Sequence, residues 1–194
     1  MLVGSDDPRL PGVADVSVRP ARPEDAERIA RVQLSTWRTA YARLLPPEAL
    51  DVPEEQAAAL WLGAVEQPPT PQHRLLVALE RAELVGFAAS GPAGDDGLDP
   101  AVTVELLTLL VEPRWGRRGH GSRLLAASVD HWRGAGFATG VAWAWQRDPA
   151  TRSFLTGSGW ELDGAVRGLD TGDPDEARRV QQQVRWHTDL REDG

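Results

Sequence analysis

Residues 104–132 read VELLTLLVEPRWGRRGHGSRLLAASVDHW, and the order of chemical types along that stretch decides the fold. Leu106 to Val111 is an apolar run of strand length, suited to a strand covered on both faces. Pro113 removes a backbone donor and ends it. Beyond the glycines, Leu124, Leu125, Ser128, Val129 and Trp132 recur at spacings of three and four, which places them on one face of a helix. Gly134 and Gly136 supply its stop. The unit is therefore strand, glycine-containing loop, helix.

Its charges point to a ligand class. A helix N-terminus carries positive partial charge and ordinarily attracts Asp or Glu. Here Arg114, Arg117, Arg118, His120 and Arg123 crowd that end, with Glu112 the nearest acid. Gly119 and Gly121 leave the backbone bare enough for its N–H groups to approach a partner. Free amides, a helix start and arginines describe an anion site of the kind that takes phosphate. A solvated basic turn with glycines for chain reversal is the competing reading. A Walker phosphate loop is disfavoured because no Lys follows the glycines, and a dinucleotide fingerprint fits the strand end poorly.

The stretch resembles the acetyl-CoA turn of the GNAT N-acetyltransferase family, a strand followed by Gln/Arg-x-x-Gly-x-Gly/Ala and a helix. Its six positions here are Gly116, Arg117, Arg118, Gly119, His120 and Gly121. The last two glycines match, while Gly116 replaces the leading Gln/Arg and arginines fill the next two places. The resemblance implies acetyl-CoA as cofactor, held by these six residues, by Ser122, and by the strand residues Leu109, Leu110 and Val111. Those three would pair with the pantetheine arm as an added strand does and offer an N–H to the thioester oxyanion.

The chain from Asp148 to Trp160 resembles a second family motif, an Asn followed by Ala-x-x-Phe-Tyr-x-x-x-Gly-Phe/Trp; Phe154 and Gly159-Trp160 match, and Asp148 stands at the Asn position. Asp148 and Phe154 thus join the expected cofactor site. Leu155 stands where the family carries the Tyr that protonates the leaving thiolate, and leucine has no proton to give. Ser153, Thr156 or water is left to substitute. The resemblance implies Glu105 as general base, since it stands eleven residues before Gly116 as the strand-borne glutamate of the family's histone-modifying members stands before their Gln; the alternative is a strand-edge carboxylate in water. Trp37 and Tyr41 resemble a Trp-x-x-x-Tyr pair found in a subset of the family facing the acceptor, against the alternative that both are core. Trp143 and Trp145 read as core. Trp115 packs beside the cofactor or closes the loop.

Outward from this stretch, Val16 to Arg19 is a short strand. Pro23-Glu24-Asp25 opens a helix with Ala26, Ile29, Ala30, Gln33, Trp37 and Tyr41 on one face, and Pro53 starts another that turns Ala57, Trp61, Ala64 and Val65 inward. Arg74 to Leu79 and Leu84 to Ser90 form a hairpin around residues 80–83. Gly91 to Pro100 is a loop. Val141 to Trp145 is a strand, and Asp148-Pro149 caps a short helix ending at 157–159. Trp160 to Val166 and Arg178 to His187 close the chain as a strand pair around a loop from Gly168 to Asp175. The expected fold is α+β in three layers, a mixed and mostly antiparallel central sheet flanked by helices, in one domain over residues 16–190 behind a loose tail, 1–15.

Composition bounds the rest. The chain has 194 residues, 29 acidic against 21 basic, for a net charge of -8. That balance argues against general nucleic-acid or membrane-surface binding. Without Cys there are no disulfides or thiolate sites, and His73, His120, His131 and His187 show no metal-ligand spacing. With neither a signal sequence nor an apolar run of spanning length, residence in the cytoplasm is expected. Two functions of different class follow: transfer of the acetyl group to the amine of a small molecule or peptide, or an acetyl-CoA-binding sensor without turnover. A homodimer is compatible with either.

Overall fold

A computed structural model describes residues 16–170, 172 and 180–191; the expected tail at 1–15 lies outside the described residues. One sheet of seven strands organises the chain, in the order β1-β2-β3-β4-β5-β7-β6. The strands are β1 Val16–Pro20, β2 Arg74–Glu80, β3 Glu83–Pro92, β4 Thr103–Val111, β5 Thr139–Trp145, β6 Glu161–Asp170 and β7 Val180–Asp189. The helices are α1 Ala26–Ala40, α2 Pro47–Leu50, α3 Glu54–Glu66, α4 His120–Gly134 and α5 Pro149–Gly157. Every strand pair is antiparallel except β4 with β5. A parallel pair needs a crossover, and α4 supplies it.

The central strand is longer than its apolar run, starting at Thr103. Its two faces feed different cores. Val104 and Leu106 join Leu124, Leu125 and Trp132 of α4. Leu110 joins Ile29 and Val32 of α1 together with Phe87. The change of face is made by a β-bulge. Ala89 stands opposite Thr108 and Ser90 opposite Leu106, so Leu107 has no partner on β3 and is 52% exposed. An extra residue on one strand bends it and raises the local twist.

The helices dock by their apolar faces. Ala26, Ile29 and Ala30 are buried, whereas Gln33, Trp37 and Tyr41 on the same side are only partly covered. In α3, Ala57 is buried, and Trp61 sets its ring edge to Phe87 with centroids 4.9 Å apart. Trp132 of α4 is 1% exposed, and its indole N–H donates to Ser90 Oγ at 2.9 Å. Gly136, at φ 86, stops α4 as the sequence suggested.

Three local expectations need correction. β6 runs to Asp170, so the loop expected from Gly168 begins later; the ladder from Val166↔Val184 to Asp170↔Val180 keeps those residues in the sheet. The remainder of that loop falls largely outside the described residues, as does the expected strand start at Arg178. Pro47–Leu50 forms an additional helical turn. Trp143 and Trp145, expected in the core, are only half-buried and face the cleft described next.

Candidate functional site

β4 and β5 stay paired only from Thr103↔Thr139 to Leu106↔Ala142. Past the bulge they separate, and β5 continues its pairing with β7 alone. The Glu112 N–H donates to Val85 O at 2.9 Å. Because strand amides alternate sides, Leu110 and Thr108 also address β3, which leaves the amides of Leu109 and Val111 on the open side. A cavity of about 1110 Å³ fills the gap, walled by Leu109, Leu110 and Val111 on one flank and by Ala142, Trp143 and Trp145 on the other.

The α4 N-terminus opens into the same cavity, with Gly116, Arg117, Gly119, His120, Gly121 and Ser122 along its rim. Gly119 is the N-cap in the left-handed region, φ 81, and no side chain caps the helix. The first amide to find its helical acceptor is Arg123 N, on Gly119 O at 3.0 Å. The amides of His120, Gly121 and Ser122 therefore end the helix facing outward. A Cβ on Gly121 would meet Leu109 Cδ2 and Phe154 Cε2 at 3.6 Å each, so this glycine sits where strand, α4 and α5 converge. Arg117 also takes a positive φ, 62, which sets the tight curvature of the turn.

The basic residues divide into two groups. Arg114 pairs with Glu112 at 2.9 Å. Arg118 lies outside the cavity lining, its guanidinium 4.9 Å above the Trp115 ring and 3.4 Å from Glu80. Trp115 thus closes the turn and also lines the cavity. His120, 1% exposed, makes a 2.8 Å contact from Nε2 to Glu80 Oε2. That bond anchors the helix start to β2, so His120 supplies backbone rather than imidazole to the rim.

Opposite the turn, Trp37, Tyr41, Leu45, Trp61 and Ala64 wall the cavity with apolar and aromatic surface. Gln33, the polar member, is held by the Trp61 indole N–H at 2.6 Å. Tyr41 reaches the α5 side of the cavity, where Thr151 and Asp148 also line it. Burial pushes its hydroxyl up to about 12; nearby Thr151 pulls it down, and the nearby Asp148 carboxylate pushes it up. Asp148 is 8% exposed and accepts from Ala150 N at 3.0 Å, Thr151 N at 3.1 Å and Thr151 Oγ1 at 2.5 Å. It is the helix cap that the Asp-Pro pair announced. Phe154 and Leu155 both line the cavity, and Leu155, in the place of the motif's Tyr, is 2% exposed.

Glu105 stands on β4 beside the splay and is not among the lining side chains. Burial, then the Asp95 carboxylate, pushes its carboxyl above the ordinary range, against the pull of Arg167, the Gly94 N–H and Arg185. Asp95 also accepts from the Trp143 indole at 2.8 Å, and Arg167 lies 4.2 Å above that ring. An acidic, arginine-braced cluster thus backs the β5 wall. The structure brings together all the residues proposed from sequence except Arg118 and Glu105, which stand just behind the lining. That Tyr41 and Asp148 line one cavity was not visible in the sequence, since 107 positions separate the two. Among the described residues, no group of three or more His, Asp or Glu could hold a metal ion, and no helix is long and apolar enough to cross a membrane.

Comparison with known proteins gives a consistent result. The profile of the acetyltransferase (GNAT) family matches residues 33–160. An uncharacterized N-acetyltransferase of Bacillus subtilis, YuaI, is 28% identical over 142 residues, 70% of this chain and 75% of that protein. Among solved structures, yncA of Salmonella typhimurium with its cofactor acetyl-CoA superposes with a TM-score of 0.69 at 19% identity, over 93% of this chain and 96% of that one. An N-acetyltransferase of Staphylococcus aureus Mu50 gives 0.71 at 16% identity, over 92% and 100%. At these identities the structural matches speak to the fold.

Proposed function

This chain belongs to the acetyltransferase (GNAT) family, and on that premise we propose that it transfers the acetyl group of acetyl-CoA to a primary amine borne on an apolar body. The observation that carries the reading is the open amide edge of β4 leading into the uncapped start of α4. The residues present fit acetyl-CoA: three outward amides and Arg117 suit a pyrophosphate, and a strand edge suits an extended amide-bearing arm. When bound, acetyl-CoA supplies an acetyl group on a good leaving thiolate.

The chain's residues then have distinct tasks. His120, Gly121 and Ser122 hold phosphate through backbone N–H groups. Leu109 and Val111 align the arm, and one of their amides faces the carbonyl oxygen as charge develops on it. Trp37, Leu45 and Trp61 exclude water and seat the acceptor's apolar part. An aliphatic amine of pKa near ~10.4 arrives protonated and has to lose that proton first. Glu105, its carboxyl raised by burial, is the base that receives it through water, since the side chain stands behind the lining.

The test is thiol release from acetyl-CoA in the presence of phenethylamine, spermidine or an alanine-initiated peptide. The expected outcome is acetylation of phenethylamine above the others. Binding of acetyl-CoA with no turnover on any amine favours the sensor reading, which the burial of Leu155 in the acid's usual place supports. Spermidine alone as acceptor would overturn the apolar assignment. The same reading places the protein in the cytoplasm as one domain over residues 16–190, monomeric or a homodimer, with neither nucleic acid nor membrane as partner.

A further inference from the structure

Gln183 of β7 is a buried polar side chain in a wall that is otherwise aromatic and apolar. It pairs with Trp145 of β5 on one side and Arg167 of β6 on the other, is 8% exposed, and lines the cavity beside Trp143 and Trp145. An apolar residue would serve the sheet there without the cost of covering an amide. Arg167 Nε donates to Gln183 Oε1 at 2.8 Å. A guanidinium cannot accept, so this bond fixes which end of the amide is oxygen. Arg167 is itself held, its guanidinium 4.2 Å above the Trp143 ring, and that indole donates to Asp95 at 2.8 Å. With Oε1 turned to Arg167, Gln183 Nε2 has no hydrogen-bond partner among the described residues. Buried amides are ordinarily paired, and this one faces the cavity with its donors unused. The group that fits an NH2 is an oxygen acceptor, and charge decides which. Arg185 is paired with Asp163 at 2.6 Å and with Asp95 at 3.2 Å, and Arg167 lies 3.7 Å from Asp95. With both guanidiniums neutralised, Gln183 offers a dipole without net charge, which suits a neutral carbonyl better than a carboxylate.

We propose that Gln183 determines acceptor specificity by donating from Nε2 to a neutral carbonyl oxygen, so that the preferred substrate is a primary amine carrying both an apolar group and an amide carbonyl. This inference rests on the reading of acetyl transfer given above and narrows its acceptor. Trp37 and Trp61 seat the apolar group, as before, and Gln183 reads the carbonyl from the β7 side. Arg167 touches no substrate; it is a positioning residue that aims the amide from behind. An acceptor that lacks the carbonyl covers Gln183 Nε2 without pairing it, and that unpaired donor lowers its transfer relative to the carbonyl-bearing amine.

The test compares phenylalaninamide, phenylalanine and phenethylamine as acceptors, primary amines that share an aromatic body and carry a neutral carbonyl, a carboxylate or neither. With the wild type, kcat/KM for phenylalaninamide is expected to exceed that for each of the others by about tenfold. Gln183→Glu keeps an oxygen for Arg167 and replaces the donating NH2 by a second oxygen. In this variant the preference for phenylalaninamide over phenethylamine is expected to vanish, and comparing the two proteins cancels the difference in basicity between the amines. A second readout needs neither turnover nor a folded variant. In a ¹⁵N–¹H spectrum of the wild type, phenylalaninamide is expected to shift the Gln183 side-chain NH2 signals far more than phenethylamine does. The same preference in both proteins, phenylalanine favoured over its amide, or NH2 signals that respond alike to both ligands would overturn the role of Gln183 while transfer to an amine stands. Wild-type protein that acetylates no amine would overturn the reading of transfer and this inference with it.

Discussion

Replacing Gly119 by alanine should destabilise the protein, and replacing Gly121 by alanine should stabilise it, although the two share one turn. Gly119 has φ 81, where an L side chain costs about 1–2 kcal/mol. Its new Cβ would also lie 2.9 Å from Arg123 Nη1. That guanidinium can swing away, but it then gives up its 3.0 Å bond to Arg118 O, an exposed interaction contributing about 0.5 kcal/mol. Together these put the loss near ~2 kcal/mol. Gly121 has no positive φ, and its new Cβ would make ordinary contacts at 3.6 Å with Leu109 and Phe154. Alanine in a compatible helical position gains about 0.4–1 kcal/mol by restricting the unfolded chain. The two variants should therefore differ by about 2–3 kcal/mol in urea unfolding, or roughly 5–10 °C in Tm for a chain of this size. Equal effects of the same sign would refute the assignment of conformational need to Gly119 and of close approach to Gly121.

Glu105→Gln should slow transfer and raise Tm at neutral pH, with the gain vanishing in acid. A carboxyl raised in the fold favours the native state most below its unfolded value of ~4.3 and loses that contribution as pH rises through the folded one; a Tm gain as large at pH 3 as at pH 7 would contradict this. Asp25 behaves oppositely. Burial pulls its carboxyl up, but Arg19 and the Arg22 N–H outweigh burial and hold it below the usual range. Its bonds to Arg19 Nη1 and Nη2 measure 2.6 and 2.9 Å, so stability from the pair is present above the unfolded value and lost as pH falls. Asp25→Ala should cost about 2 kcal/mol at pH 7, discounted for the partly exposed Arg19, as read by urea unfolding. Asp148→Ala should cost about 1–2 kcal/mol through loss of the α5 cap, whereas Asp148→Asn keeps it; equal costs for the two would show the cap is not what Asp148 supplies to stability.

Much of the architecture was legible because its signals are local. The Leu106–Val111 run, Pro113, and the three-and-four spacing from Leu124 to Trp132 each restrict a few neighbouring residues, and β4 and α4 follow them. The Asp148-Pro149 pair likewise names its cap from two adjacent positions. What the sequence hid depends on distant partners. The bulge at Leu107 exists only against Ala89 and Ser90 of another strand, and it opens the cleft. Trp143 and Trp145 alternate with small residues as core residues do, yet the splay of β4 leaves them facing a cavity. Tyr41 read as an acceptor-pocket aromatic or a core residue, since nothing near position 41 records that Asp148 will lie across from it.

The account stands most directly on acetyl-CoA at the α4 turn, and calorimetric titration of the wild type beside the Arg118→Glu, Gly119→Asp double variant tests it. The prediction is saturable micromolar binding by the wild type. In the variant, a carboxylate at the helix start and another beside Trp115 oppose the phosphates and abolish binding. Absence of binding to the wild type, or equal affinity in the two proteins, would contradict the placement of the cofactor in this cleft.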